Sequence, residues 1–182
     1  MICRDENPYF LNDFLDYSST ILNKSTNTIK EYNYDIAHFL KFIQYEFGVV
    51  KLKNSQTIKD IIIKDMDISI VEKITLENIH SFLAYLKNEY RSKPATLARK
   101  TASIRVFFYY LCNKTKKIPN NPAQDLESPK LEKRLPKYLT LEQSQELLET
   151  TFSYNNHGNH DNHERNYAII TLFLNCGMRL SE

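Results

Sequence analysis

Glycine is nearly missing from this chain, at three residues in 182, and tryptophan is absent. So few chain-reversing residues exclude a protein built from many short strands joined by glycine turns, and the many Lys, Glu, Leu and Ile residues favour helices instead. Cysteine is scarce too: Cys3, Cys112 and Cys176 are odd in number, far apart, and lack any Cys-x-x-Cys spacing. That pattern excludes a disulfide framework and a thiolate zinc site, and it fits a reducing compartment. No apolar run approaches the ~20 residues of a membrane span, and no charged-then-apolar leader is read before Asn7. The expectation is a soluble, cytoplasmic, mostly α protein with room for one domain and a piece of another.

Acidic residues are scarce in one place only. The whole chain carries a net charge of +2, yet the stretch from Arg91 to Lys137 holds twelve Lys/Arg against three Asp/Glu, leaving the remainder net acidic. A basic band on an otherwise acidic chain is the electrostatic footprint expected of a nucleic-acid partner. A solvated helix face followed by a basic linker would give the same charge pattern.

Periodicity supplies the organisation. Pro8 opens a helix with Phe10, Phe14, Tyr17 and Ile21 on one face, running to about Asn23. Ser25 reads as the N-cap of a long helix whose apolar positions are Ile29, Tyr32, Ile36, Leu40, Ile43 and Phe47, ending at Gly48. Residues 49–73 are less regular and leave open a short strand, a short helix or an ordered excursion. Thr75 caps a further helix through Ile79, Phe82, Leu83 and Leu86 that ends near Arg91. Pro94 suits the first turn of the next, with Leu97, Thr101, Ile104, Phe108 and Leu111 as its core stripe.

On that last helix Thr96, Arg99, Lys100 and Ser103 lie away from the centre of the stripe. Small polar and basic side chains on a helix with a firm apolar face are what docking into a groove requires, because the core fixes the helix while its other side meets phosphates and bases. An ordinary wet face is the alternative. From Lys114 to Leu139 helical period disappears and four prolines (Pro119, Pro122, Pro129, Pro136) interrupt a basic stretch. This reads as an extended interdomain linker. Thr140 and Gln143 then have the spacing of a capping box at the start of a second domain. His157, His160 and His163 recur every three residues, but in a Gly/Asn-rich stretch that reads as a surface loop, so no metal is expected.

Several of these segments resemble one family, the tyrosine site-specific recombinases of the Xer and phage or transposon integrase type. The similarity begins with Asn27-Thr28-Ile29-Lys30-Glu31-Tyr32, Asp35 and Phe39, and continues through Ile74-Thr75 and Phe82-Leu83-x-Tyr85-Leu86. It strengthens from Thr96 to Leu111, where Arg105-x-Phe107-Phe108-x-Tyr110-Leu111 precedes Asn121-Pro122-Ala123, Ser128-Pro129-Lys130-Leu131 and Arg134-Leu135-Pro136-Lys137-Tyr138-Leu139-Thr140. It ends in Gly177-Met178-Arg179-Leu180-Ser181-Glu182, similar to the box holding the family's first catalytic arginine. The resemblance spans nearly the whole chain. The loop at residues 49–73 and the His/Asn-rich stretch are both longer than in compact Xer members.

The resemblance implies an all-α chain in three parts: a four-helix, SAM-like core-binding bundle (1–114), a basic Pro-rich linker (115–139), and the first helices of a catalytic domain (140–182), incomplete here. It implies a parent enzyme that breaks and rejoins duplex DNA through a 3′-phosphotyrosyl intermediate, with no cofactor, acting as a tetramer that synapses two duplexes. Arg179 matches the arginine that would stabilise the pentavalent phosphorane, since a guanidinium can donate paired hydrogen bonds to two nonbridging oxygens. Glu182 matches a supporting acidic position, and no tyrosine of this chain stands in the context of the nucleophile. The expected DNA contacts are Lys24, Thr26, Thr28, Lys30, Thr96, Arg99, Lys100 and Ser103 on the bundle, with Lys130, Lys133, Arg134 and Lys137 along the linker. Such a chain is expected to bind DNA without cutting it, and the apolar run Ile169 to Leu174 to want packing partners. A non-enzymatic helical DNA-binding or regulatory protein is the alternative function.

Overall fold

The computed structural model describes residues 4–52, 56–131, 138–153 and 163–179. Seven α-helices stand among these residues: α1 (Tyr9–Thr20), α2 (Thr26–Glu46), α3 (Ile68–Glu72), α4 (Leu76–Tyr90), α5 (Pro94–Tyr109), α6 (Leu141–Ser153) and α7 (His163–Cys176). No strand occurs among the described residues, which gives the all-α class read from the sequence. Two compact units divide the chain, one covering Met1–Glu132 and the other Lys133–Glu182.

Local chemistry sets the helix ends of the first unit. Ser25 Oγ accepts from the Thr28 amide at 3.3 Å, satisfying one of the donors that the first turn of α2 leaves without an intrahelical partner. Thr75 and Asn78 form a reciprocal capping box at α4, and Pro94 occupies the first turn of α5, where its missing N–H costs nothing. At the other end of α4, Arg91 takes the left-handed conformation (φ 47°) that stops the helix. Helix α5 closes in a π-helical turn, Tyr110–Lys114, in which the Thr115 amide reaches back to the Tyr110 carbonyl at 3.1 Å.

Helix α2 is the spine of this unit, packing on α1, α4 and α5. Phenylalanines knit the four together. Phe107 of α5 meets Phe14 of α1 edge-on at 5.4 Å and its own neighbour Phe108 at 5.5 Å, while Phe39 of α2 joins Phe108 to Phe82 of α4 at 6.1 and 5.2 Å. All five rings are fully buried. Each contributes roughly 1.5–3 kcal/mol of transfer free energy, with a further gain from the edge-to-face geometry.

The irregular segment between α2 and α4 is an ordered excursion with two short helical pieces, a 3-10 turn at Ile58–Asp60 and α3. Ile58, Ile61, Ile63, Met66, Val71 and Ile74 are all buried, so it closes the bundle as a lid of isoleucines. Residues 115–131 belong to the stretch read as an extended interdomain linker. Ile118, Ala123 and Leu126 are buried in the same core, and the Arg105 guanidinium donates to the Leu126 carbonyl and to Ser128 Oγ. Proline breaks helical period but does not prevent a chain from packing; three apolar side chains and one arginine hold this stretch against α5.

In the second unit α6 and α7 pack on each other. Thr140 and Gln143 form the expected capping box, Gln143 donating its amide to Thr140 Oγ1 at 3.3 Å and accepting from the Thr140 amide at 3.0 Å. No described residue of this unit is fully buried, and Leu172 in the middle of the apolar run is 52% exposed.

Candidate nucleic-acid interface

Asp35 is the electrostatic centre of the first unit. Its position on α2 turns it toward α5, where its carboxylate is wholly buried, and an unpaired carboxylate there would cost several kcal/mol. Three donors from one side of α5 answer it: Lys100 Nζ at 2.7 Å from Oδ1, Ser103 Oγ at 2.8 Å from Oδ2, and Arg99 Nη1 at 2.6 Å from Oδ2. Lys100 Nζ also lies 4.7 Å from the centre of the Tyr34 ring, whose π-face favours a cation. The same Arg99 nitrogen stands 2.6 Å from Glu31 Oε2, one turn earlier on α2.

This arrangement corrects the reading of Lys100 and Ser103 as outward-facing contacts. The Lys100 side chain is 5% exposed and Ser103 is buried, both because a buried carboxylate requires them as donors. On a helical wheel they looked polar and therefore wet; their polarity serves the interior. Arg99, 39% exposed, remains at the surface with Glu31, and Thr96 lies half-buried one turn before it. Asp35, which makes the arrangement possible, stands in the sequence only as part of the family resemblance, with nothing along the helix to say that its carboxylate turns inward.

Lys24, Thr26 and Lys30 are exposed around the N-terminus of α2, and Thr28 is half-buried with its hydroxyl 3.0 Å from Ser25 Oγ. Lys130 is exposed on the segment that follows α5. Lys133, Arg134, Lys137 and Glu182 lie outside the described residues, as do His157 and His160. Among the described residues no group of His, Cys, Asp and Glu is placed to ligate a metal ion. Arg179 is exposed beyond the end of α7, which Gly177 terminates in the left-handed conformation (φ 61°) while its amide bonds the Phe173 carbonyl at 3.1 Å.

The structure adds a residue that sequence reasoning passed over. His38 is buried with its ring edge-on to Phe82 and Tyr90 at 5.5 and 5.6 Å, and neither ring nitrogen has a hydrogen-bond partner in the protein. Burial pushes its pKa down to about 4, and the charges of Lys100 and Lys59 push the same way. It flanks a cleft of about 280 Å³ that also takes in Asn7, Asn33, Tyr34, Lys41 and Lys59. A lone histidine on an amphipathic helix has no pattern that would announce this.

Residues 10–118, the bundle together with its closing turn, match the family model described as "Phage integrase, N-terminal SAM-like domain". The chain belongs to the phage integrase family of tyrosine recombinases. Among curated relatives, "Tyrosine recombinase XerC" of Caldanaerobacter subterraneus subsp. tengcongensis is 45% identical over 175 residues, covering 96% of this chain and 47% of that protein. "Tyrosine recombinase XerD" of Halalkalibacterium halodurans is 30% identical over 172 residues, 94% of this chain and 49% of its own length. "Tyrosine recombinase" of Pseudothermotoga lettingae is likewise 30% identical, with 94% and 50% covered. The chain therefore spans about half the length of the curated recombinases it matches. No solved structure matches it. Among the described residues of this recombinase chain, no helix is long and apolar enough to cross a membrane.

Proposed function

We propose that this chain is the duplex-binding part of a site-specific tyrosine recombinase, and that it docks the N-terminal halves of α2 and α5 against DNA. The observation that carries the reading is the joint placement of Lys24, Lys30, Thr26, Thr28, Thr96 and Arg99 at the surface of two helices that the buried Asp35 cluster clamps together. Family membership supplies the substrate class. Cations and hydroxyls at helix starts suit phosphate oxygens, which position a protein on the duplex, while a helix held rigidly by its core can present side chains to base edges. Lys130, Lys133, Arg134 and Lys137 would extend the phosphate track along the segment after α5. The alternative of a non-enzymatic DNA-binding protein is not favoured by relatives that are named recombinases.

In the enzyme, DNA cleavage would proceed by attack of a tyrosine hydroxyl on a phosphodiester, forming a 3′-phosphotyrosyl bond and releasing a 5′-hydroxyl. Arg179 would donate to the nonbridging oxygens as negative charge builds on the phosphorane, a role in which removing one donor commonly costs several kcal/mol of barrier. Glu182 would support that site. The remaining catalytic groups are assigned to no residue of this chain, and four protomers would bring two duplexes together in a bacterial-type cytoplasmic reaction.

The test is binding of this chain to mixed genomic duplex fragments across a salt series, followed by sequencing of what remains bound at the highest salt. A half-site of about 10–14 base pairs should be enriched. Lys24→Ala and Lys30→Ala should each lower the magnitude of the log–log salt slope by ~0.9, the value for one released phosphate contact. Failure to bind at low salt would overturn the assignment. Incubation with a nicked duplex should leave no covalent protein–DNA adduct, and its appearance would show that this chain alone holds a competent nucleophile.

A further inference from the structure

Four charges meet between α2 and α5, and their sum is zero: Glu31 and Asp35 against Arg99 and Lys100. Two of them, Asp35 and Lys100, are interior and cannot reach a ligand. The two that can are Arg99, 39% exposed, and Glu31, 56% exposed, joined at 2.6 Å. A guanidinium already neutralised in this way adds no net positive charge to the surface, so it is poorly suited to displacing counterions from a phosphate. A carboxylate beside it would be repelled by the phosphate backbone. The floor of the major groove differs, because it offers amino donors as well as acceptors: cytosine N4–H donates to a carboxylate, and guanine O6 and N7 accept from a guanidinium.

On this ground, and resting on the docking face proposed above, we infer that Arg99 and Glu31 form a base-reading pair whose preferred ligand is a G·C base pair in the major groove, with guanine bonded to Arg99 and cytosine to Glu31. Asp35 is the positioning residue for the pair. Its carboxylate, fixed by Lys100 and Ser103, accepts a hydrogen bond from Arg99 Nη1, so the guanidinium is held by the core while the side chain stays 39% exposed. Glu31 has the freedom Asp35 lacks, since it is solvated and holds one partner. The arrangement separates two duties on one face: Lys24 and Lys30, exposed cations at the start of α2, would set affinity, and Arg99 with Glu31 would set sequence.

The experiment compares the wild-type chain with Glu31→Gln, Arg99→Ala and Lys30→Ala, each checked for helical content, using selection from a randomised duplex pool and salt titration of the selected site. The wild type should enrich a site with one strongly preferred G·C pair. Glu31→Gln should relax that position, with discrimination falling roughly 10-fold, the order expected for loss of one specific base contact, and with a salt slope no shallower than that of the wild type. Arg99→Ala should lose the same position, again with little change of slope, whereas Lys30→Ala should lower the slope and leave the base preference intact. If Glu31→Gln instead tightens binding to every sequence alike, Glu31 only repels DNA and the inference fails while the docking face stands. If Arg99→Ala lowers the slope by a full phosphate contact without changing preference, Arg99 is a phosphate ligand and the inference fails in the other direction. A wild-type chain that binds no duplex overturns both the inference and the function on which it rests; where the wild type binds, a lower slope for Lys30→Ala shows that the face is engaged even if the base preference fails.

Discussion

Helices α5 and α7 are similar in length and both carry a dense apolar stretch, yet one sits in the core of its unit and the other is half in solvent. Ile104, Phe107 and Phe108 of α5 are fully buried because α1 and α2 supply rings against them and α4 packs alongside. In α7, Ile169 and Leu172 remain 43% and 52% exposed, with α6 as the neighbour that covers part of it. Apolar content alone does not bury a helix; burial needs opposing faces in sufficient number. The first unit has them within 132 residues, and the second, within the described residues, has a single helix pair.

The largest test of that contrast is truncation in the two cores. Phe107→Ala should cost ~3–5 kcal/mol in urea unfolding of the first unit, the range for emptying a packed aromatic site. Leu172→Ala in α7 should change stability by less than ~0.5 kcal/mol, as for a surface position. Equal losses would mean that α7 is buried in solution by something the two-helix arrangement does not show.

Charge sharpens the comparison next. Asp35→Ala strands Lys100 in the interior and should destabilise the bundle by ~3–5 kcal/mol, because breaking a buried pair leaves an uncompensated charge. Replacing Glu142 by Ala on solvent-facing α6 should cost far less, and circular dichroism melts of the two variants would check the ranking. A loss below about 1 kcal/mol for Asp35→Ala would mean that water reaches the cluster.

His38 provides a smaller, pH-dependent effect confined to the first unit. The folded state keeps it neutral down to about pH 4, whereas in the unfolded chain it protonates near its ordinary 6.5. Between those values the unfolded state binds more protons, so stability should fall as pH drops from 6.5 toward 4, by up to ~1.4 kcal/mol per pH unit, and show no contribution above 6.5. Lys100, Lys59 and Lys41 add to the penalty for a charged ring and Asp35 opposes it. His38→Phe should flatten this dependence, measured by urea midpoints at pH 7.5, 6 and 5; parallel curves for the two proteins would assign the acid loss to other groups. The smallest effect is shared by both units. Thr75→Ala and Thr140→Ala each remove a capping-box hydroxyl and should lower helix stability by ~1 kcal/mol, read as loss of helical signal in the unit concerned.

Much of the first unit was legible in the sequence. The caps at Ser25 and Thr75, Pro94 in a first turn, and the stripe from Leu97 through Leu111 are local features, and local sterics and hydrogen bonding decide them. The packing of the stretch after α5 was not legible for a physical reason: proline removes a helical donor, but Ile118, Ala123 and Leu126 still gain by leaving water, and only the tertiary structure says where. At the candidate site, Lys24, Thr26 and Lys30 were found as exposed groups because they stand at a helix start. Lys100 and Ser103 were misplaced because a helical wheel sees one helix and cannot know that α2 brings a carboxylate to meet them.

The sequence by itself determined the main helices, the caps at Ser25, Thr75 and Thr140, the aromatic core stripes and membership in the tyrosine recombinases, since all of these follow from residue type and spacing along one chain. The tertiary structure alone decided which polar residues of α5 face inward, that Arg99 is shared between Glu31 and Asp35, and that His38 is kept neutral. Those are questions of what stands opposite each side chain across a helix interface, and the answer comes from residues more than sixty positions away in the chain.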